Sequence, residues 1–229
     1  MKPLRVVVVG AHGRMGRFAC ELLAHSPGFE LAGELGRGHA LEPALRECGA
    51  EVGLDLTVAG LGAAHARAML AAGVRPVVGT SGVTRAELEE LDCLARARGL
   101  GGLVVPNFSL GMAYLLRAAQ ELVRAFPDVA IVELHHERKR DAPSGTALAT
   151  RERLLAHGAR PPLAIQSVRL PGLYAHQELL FGGAGETLTL RHDMHGPAAF
   201  APGLLAALRW ARSAEGVGCG LECTLSFPL

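Results

Sequence analysis

An α/β fold is predicted here: a doubly wound parallel sheet followed by an α+β part with an open, mixed sheet. Three observations predict it. From the N-terminus to Pro106, apolar β-branched runs alternate with helical periodicities across short connections. A glycine-rich turn joins the first run to the first helix. Beyond Pro106, strand-like segments follow one another with glycine turns between them.

The elements follow in order. Val6–Val9 is a fully apolar run of the kind a central parallel strand needs. Met15, Phe18, Ala19, Leu22 and Leu23 share one face of a helix that Ser26-Pro27-Gly28 stops. Phe29–Leu35 and Leu54–Val58 read as strands, with a helix around Ala63–Ala72 ending before Gly73. Pro76–Val78 is a short strand. Thr84 and Glu87 have the spacing of a capping box, opening a helix that runs to about Arg98. Leu103–Val105 is the next strand. A helix near Met112–Ala125, a strand Val129–Leu134 and a helix from Thr146 to about His157 follow. Ala164–Leu170, Tyr174–Phe181 and Glu186–Arg191 are the consecutive strands. A last helix spans Gly203–Arg212, and in the tail Leu221, Cys223, Leu225 and Phe227 alternate with polar residues.

Composition narrows the function. The chain has 229 residues, 49% hydrophobic and 20% charged, enough for a buried core and too apolar for disorder. A net charge of +1 argues against nucleic-acid binding. No apolar run reaches the ~18–20 residues of a membrane helix, and the N-terminus does not read as a signal peptide. The five cysteines (Cys20, Cys48, Cys93, Cys219, Cys223) show neither metal-ligand spacing nor an even framework, so a reducing cytoplasm is expected and no metal is. The 23 basic residues include only two lysines, Lys2 and Lys139. One internal lysine in an arginine-dominated chain points to a need for an amine there.

Gly10, Gly13 and Gly16 lie between the first strand and the first helix, spaced G-x-x-G-x-x-G with His12 in the middle. A tight turn, a close backbone approach to a pyrophosphate and the free N–H groups of a helix start all favour small residues there, as in Rossmann-type dinucleotide-binding domains. A glycine turn without ligand is the plain alternative. The end of the second strand normally carries a ribose-binding acid. Glu34 falls too early, and Gly36 followed by Arg37 stands at that place. Arg37 without a competing carboxylate suits a 2′-phosphate and hence NADPH over NADH; a solvated surface arginine is the alternative.

The richest stretch is Glu133 to Ala147, which holds His135, His136 and Lys139 before a Ser144-Gly145-Thr146 helix start. Imidazole exchanges protons near neutral pH, the Lys139 ammonium can pair with a carboxylate, and the Gly145 and Thr146 N–H groups form an anion pocket. Together they describe a site for a small acid that is protonated during reaction. A metal site is disfavoured, because strand neighbours point to opposite faces, and Arg138-Lys139-Arg140 as an ordinary basic surface is the alternative. His25, His39, His65 and His157 read as structural or surface residues, and His192 and His195 receive no assignment.

These residues resemble the 4-hydroxy-tetrahydrodipicolinate reductase (dihydrodipicolinate reductase) family of the diaminopimelate route to lysine. The resemblance is carried by residues 9–16 (VGAHGRMG), 78–82 (VGTSG), 106–111 (PNFSLG), 133–147 (ELHHERKRDAPSGTA) and 185–192 (GETLTLRH). It implies a dinucleotide-binding domain of residues 1–106 plus 203–229 and an inserted substrate and oligomerisation domain of residues 107–202. It implies a cytoplasmic homotetramer that transfers hydride from NADPH or NADH to ring C4 of a dicarboxylate substrate. By matching motif, His135 is the proton donor and Lys139 its carboxylate-binding partner; His136, Ser144, Gly145 and Thr146 contact substrate. Gly10, Ala11, His12, Gly13, Arg14, Met15, Arg37, Gly79, Thr80, Ser81, Val105, Pro106, Asn107 and Phe108 contact the cofactor, and Asn107–Ser109 is a hinge. Ser81 replaces the usual second threonine, and Gly36 the usual acid. A redox sensor that binds NAD(P) without turnover, or a reductase of another cyclic imino acid, would share parts of this pattern.

Overall fold

A computed structural model describes residues 2–38 and 40–226; His39 and Phe227, both read above, lie outside the described residues. The chain divides into two compact units, one reaching to Ser109 and resuming at Phe200, the other comprising Leu110–Ala199.

The first unit is built on a six-stranded parallel sheet in the order β10-β5-β4-β3-β1-β2. Its strands are β1 (Leu4–Val9), β2 (Phe29–Leu35), β3 (Val52–Asp55), β4 (Arg75–Val78), β5 (Gly101–Val104) and β10 (Gly216–Cys219). β3 and β5 are buried throughout, and β4 from Pro76 on, as strands covered on both faces must be. The helices are α1 (Arg14–His25), α2 (Leu41–Glu47), α3 (Gly62–Ala71), α4 (Arg85–Arg96) and α7 (Ala201–Ser213). The capping box is formed: the Glu87 N–H donates to Thr84 Oγ1 at 3.3 Å and the Thr84 N–H to Glu87 Oε2 at 2.8 Å. β1 lies between β2 and β3, so the strand order reverses there. Ligands of open parallel sheets bind outside the carboxyl ends of such a strand pair.

Three elements differ from the sequence reading. The strand expected over Leu54–Val58 is Val52–Asp55. The buried Asp55 carboxylate accepts the Thr57 N–H at 2.9 Å and the Thr57 hydroxyl at 2.6 Å, and this turn ends the strand. The short helix α2 occupies a stretch the sequence left unassigned. In the tail, β10 pairs with β5, while Leu221–Thr224 is a 3-10 helix rather than part of an alternating extended segment.

The second unit carries β6 (Asp128–His135), β7 (Ile165–Arg169), β8 (Ala175–Gly183) and β9 (Glu186–Met194) in the order β7-β6-β8-β9. β6 and β7 are parallel and the remaining pairs antiparallel, the mixed sheet expected. α5 (Leu110–Leu122) and α6 (Gly145–Ala156) contribute Met112, Leu115, Ala119, Ala147 and Leu154 to a core shared with Val129, Ile131, Leu179 and Phe181. β6 delivers the end of its strand, and α6 its first turn, to one polar loop.

Candidate active site

In the first unit the chain leaves β1 through Gly10, whose φ of +85° is open to glycine at little cost. A Cβ there would stand 2.8 Å from the Leu56 carbonyl oxygen, and one on Gly16 would collide with the carbonyl of Gly10. The turn is therefore tight because α1 sits directly on it. No side chain caps the start of α1, and its first turn holds no acid, so its N–H groups remain available to an anion.

A cavity of about 620 Å3 opens beside this turn, lined by Gly10, His12 and Gly13, by Gly36 and Arg37 after β2, and by Leu56, Thr57 and His65 among others. A second cavity of about 240 Å3 shares Leu56 and Thr57 with it and adds Met15, Gly79, Thr80 and Ser81. The pair makes a groove along the carboxyl ends of β1, β3 and β4. No carboxylate side chain lines either cavity among the described residues. Thr80 Oγ1 is buried without a hydrogen-bond partner, a polar atom suited to a ligand in the groove. The fold, the free helix start and the apolar walls of Leu41, Val58 and Leu61 fit a pyridine dinucleotide.

In the second unit, Glu133 is fully buried and is the hub of the loop. It accepts the His135 Nδ1 at 2.5 Å, the Arg169 fork at 2.8 and 2.9 Å, and the Ser144 N–H at 3.2 Å. Burial alone would raise its pKa, but hydrogen bonds from Arg169, Ser167 and His135 outweigh it and hold the carboxyl below its usual range. The His135 pKa is lowered, first by burial and further by the nearby Lys139 and Arg169 charges, with Glu133 opposing. Lys139 Nζ rests on Asp141 at 2.7 and 2.8 Å, which lowers the Asp141 pKa. Ser144 caps α6 by accepting the Ala147 N–H, and a Cβ on Gly145 would meet open space. His136 Nδ1 is buried without a hydrogen-bond partner.

Sequence models described as dihydrodipicolinate reductase, N-terminus and C-terminus, match residues 4–108 and 109–224. The chain belongs to the dihydrodipicolinate reductase family. It is similar to the 4-hydroxy-tetrahydrodipicolinate reductase of Symbiobacterium thermophilum, 40% identical over 253 residues, covering 100% of this chain and 99% of the relative. That of Moorella thermoacetica is 40% identical over 263 residues, covering 98% of both. Among solved structures, the dipicolinate-bound dihydrodipicolinate reductase from Paenisporosarcina sp. TG-14 matches with a TM-score of 0.87 at 31% identity, covering 96% of this chain and 98% of that one.

Within this dihydrodipicolinate reductase fold, the groove gathers Gly10, His12, Gly13, Met15, Arg37, Gly79, Thr80 and Ser81. It does not gather all the expected cofactor residues. Ala11 and Val105 are buried, Arg14 and Pro106 are exposed, and none of them lines either cavity. Asn107 accepts the Ser109 N–H, and Phe108 lies against Gly79 beneath the groove.

His65, read from sequence as bland, is not: its Nδ1 stands 3.1 Å from the buried Asp55 and the ring lines the larger cavity. His25 and His157 do fit the bland reading, each ring bonded to the carbonyl four residues earlier at 2.8 Å. His192 packs against Gly111, whose Cβ would lie 2.6 Å from the ring. His195 meets the edge of His176, which pairs with Asp193 at 2.7 Å. Sequence reasoning gave no role to Glu133, although residues two apart on a strand share a face, and Glu133 precedes His135 by that interval. Arg169 carried no signal, since only the β6–β7 register sets it opposite His135.

Proposed function

We propose that the protein reduces 4-hydroxy-tetrahydrodipicolinate to tetrahydrodipicolinate with NADPH, and less well NADH, in diaminopimelate and lysine biosynthesis. The loop of the second unit carries the reading: one ammonium, one oriented imidazole and an open helix start within a short span of chain. The nucleotide, when bound in the first unit, supplies the hydride that adds at ring C4 as water is lost. Lys139 leaves Asp141 to bind one substrate carboxylate. The Gly145 and Thr146 N–H groups, which have no intrahelical partner, bind the other. His136 offers its unengaged Nδ1 to the same ligand.

Hydride addition to a conjugated imine builds negative charge that an acid must quench. Glu133 engages Nδ1 of His135, so Nε2 is the nitrogen that gives the proton. A positioned acid of this kind contributes roughly 10²–10⁴-fold.

Preference for NADPH rests on Arg37 in a cavity lined by no carboxylate among the described residues. The same proposal includes a cytoplasmic homotetramer, supported by the family resemblance and by Val168, Leu170 and Tyr174 of the second unit, which leave 36%, 55% and 37% of their surface exposed. No described helix is long and apolar enough to cross a membrane.

The test is NADPH oxidation with enzymatically generated substrate, comparing wild type and Lys139→Ala. The variant should lose most of kcat while its NADPH affinity stays within about twofold. Equal turnover in the two proteins would remove Lys139 from the mechanism, and a wild type that binds NADPH without oxidising it on this substrate would remove the activity.

A further inference from the structure

We infer that Glu133, clamped by Arg169, is the positioning residue of the site: it fixes which nitrogen of His135 faces the reaction and ties the Lys139 turn and the start of α6 to one strand.

The register places the three side chains together. Glu133 and His135 are two apart on β6, so they share a face, and Arg169 ends β7 opposite His135 in the parallel ladder. The hydrogen-bond capacity of both clamp groups is then filled. Glu133 Oε1 accepts from Arg169 and the Ser144 N–H, and Oε2 from Arg169 and His135. The Ser167 side chain is a further donor, so the roughly four acceptor sites of this carboxylate are all used. The guanidinium has five N–H donors in a fixed fork. Two go to Glu133, one to the Val168 carbonyl at 2.8 Å, one to the Asp141 carbonyl at 2.7 Å, and Nε to the Lys139 carbonyl at 3.4 Å.

Neither group has capacity left for a ligand. Their effect on chemistry must pass through the groups they hold. Those groups are His135, the backbone on both sides of Arg140, and Ser144, the residue that caps α6. One buried pair thereby sets the acid, the ammonium-bearing turn and the anion-binding helix start in a common frame. A pair kept only for stability has no need to reach the loop at four points, since an apolar substitute of similar volume often serves a core equally well.

The charged groups facing the His135 ring are Glu133 from its own strand, Arg169 from β7 and Lys139 from the loop. Only Glu133 favours the imidazolium, so its loss should move the His135 titration to lower pH.

The primary experiment needs no turnover: nitrogen-15 correlation spectra of the histidine rings, with His135 assigned by the loss of its signals in His135→Asn. Wild-type His135 should carry its neutral-state proton on Nδ1. A proton on Nε2 overturns the inference without any variant. In Glu133→Gln, which keeps the side-chain volume, the ring should become a mixture of tautomers and its titration midpoint should fall. An unchanged tautomer and midpoint in a folded Glu133→Gln protein would also overturn it.

The kinetic arm rests on the reductase reading. Glu133→Gln should lower kcat about 10–100-fold, with NADPH affinity within twofold, and Arg169→Lys should raise the substrate KM more than it lowers kcat, because it keeps the charge but loses the fork. Unchanged kinetics in both variants counts against the inference. Because the spectra require no substrate, failure of the clamp is distinguishable from failure of the assigned reaction.

Discussion

Gly36 and His12 share one space: a Cβ on Gly36 would fall 2.5 Å from His12 Cδ2 and 2.9 Å from Nε2. The ring from the glycine turn thus occupies the place that a side chain at the end of β2 would need. In Rossmann-type domains an acid there holds the adenosine ribose, and here the local packing has no room for one. Arg37 is next in sequence, exposed, and lines the same cavity.

Arg37→Ala should therefore separate the two cofactors. A charge-assisted hydrogen bond to a phosphate is worth ~1.5–3 kcal/mol, which is roughly tenfold to more than a hundredfold in affinity. The Kd for NADPH should rise by that factor and the Kd for NADH by less than threefold, measured by quenching of Trp210 or by the reduced nicotinamide's own fluorescence. Equal weakening of both would show that Arg37 does not meet the 2′-phosphate.

The same relationship predicts a non-additive pair. Gly36→Asp alone must push the His12 ring aside and should weaken both cofactors. His12→Gly empties the space, and the double variant should bind NADH better than Gly36→Asp does, with NADPH now repelled by the carboxylate. A coupling energy near zero between the two substitutions would mean that ring and side chain do not compete for the space.

Much of this was legible in the chain because the relevant residues are contiguous. The four valines of β1, the Thr84–Glu87 box and the loop from Glu133 to Thr146 each carry their signal within a few residues. The features that leave no local signal depend on distant partners or missing side chains. β10 is half glycine, with no alternation to read, and becomes a strand only by pairing with β5. Apolar Leu56 and Val58 continue the strand pattern past the true end of β3, where the buried Asp55 folds the backbone into a turn. His65 looked like any helical histidine until the turn after β3 placed Asp55 beside it. Arg169 is one arginine among many, and no local pattern distinguishes it.

Lys139 is held at 2.7 Å by Asp141, but Asp141 keeps 59% of its side chain exposed. An ion pair that open to water is worth at most about 1 kcal/mol, and substrate must break it to take the ammonium. Asp141→Asn should lower the substrate KM by up to about fivefold at low salt, with kcat nearly unchanged. The Asp141 carbonyl that holds Arg169 is untouched by the change. The gain should shrink in 0.5–1 M salt, where screening has already weakened the pair. A higher KM in the variant would show instead that Asp141 aims the lysine rather than competing for it.

The lowered pKa of His135 sets two opposite dependences on pH. For stability, burial disfavours the imidazolium in the folded chain, as it also does for His192. Below the ordinary histidine value of about 6.5 the unfolded chain takes up protons first, so stability is complete above that pH and declines as pH falls toward the folded-state values. For activity the requirement is reversed, because the acid must be protonated to act. The kcat/KM profile reports free enzyme, where His135 titrates below its ordinary value, so this limb should fall at lower pH than an unperturbed histidine would give. The kcat profile reports the complex, where two substrate carboxylates now lie near the ring. Their charge favours the imidazolium, and Lys139 is partly neutralised by the carboxylate it holds. The falling limb of kcat should therefore sit at higher pH than that of kcat/KM. Rate profiles from pH 5.5 to 9, taken with a thermal-melting series over the same range, check both signs; coincident limbs would mean that the charge of the bound substrate does not reach His135, and the ring would then be too far from the substrate to give it the proton that quenches the charge left by hydride addition.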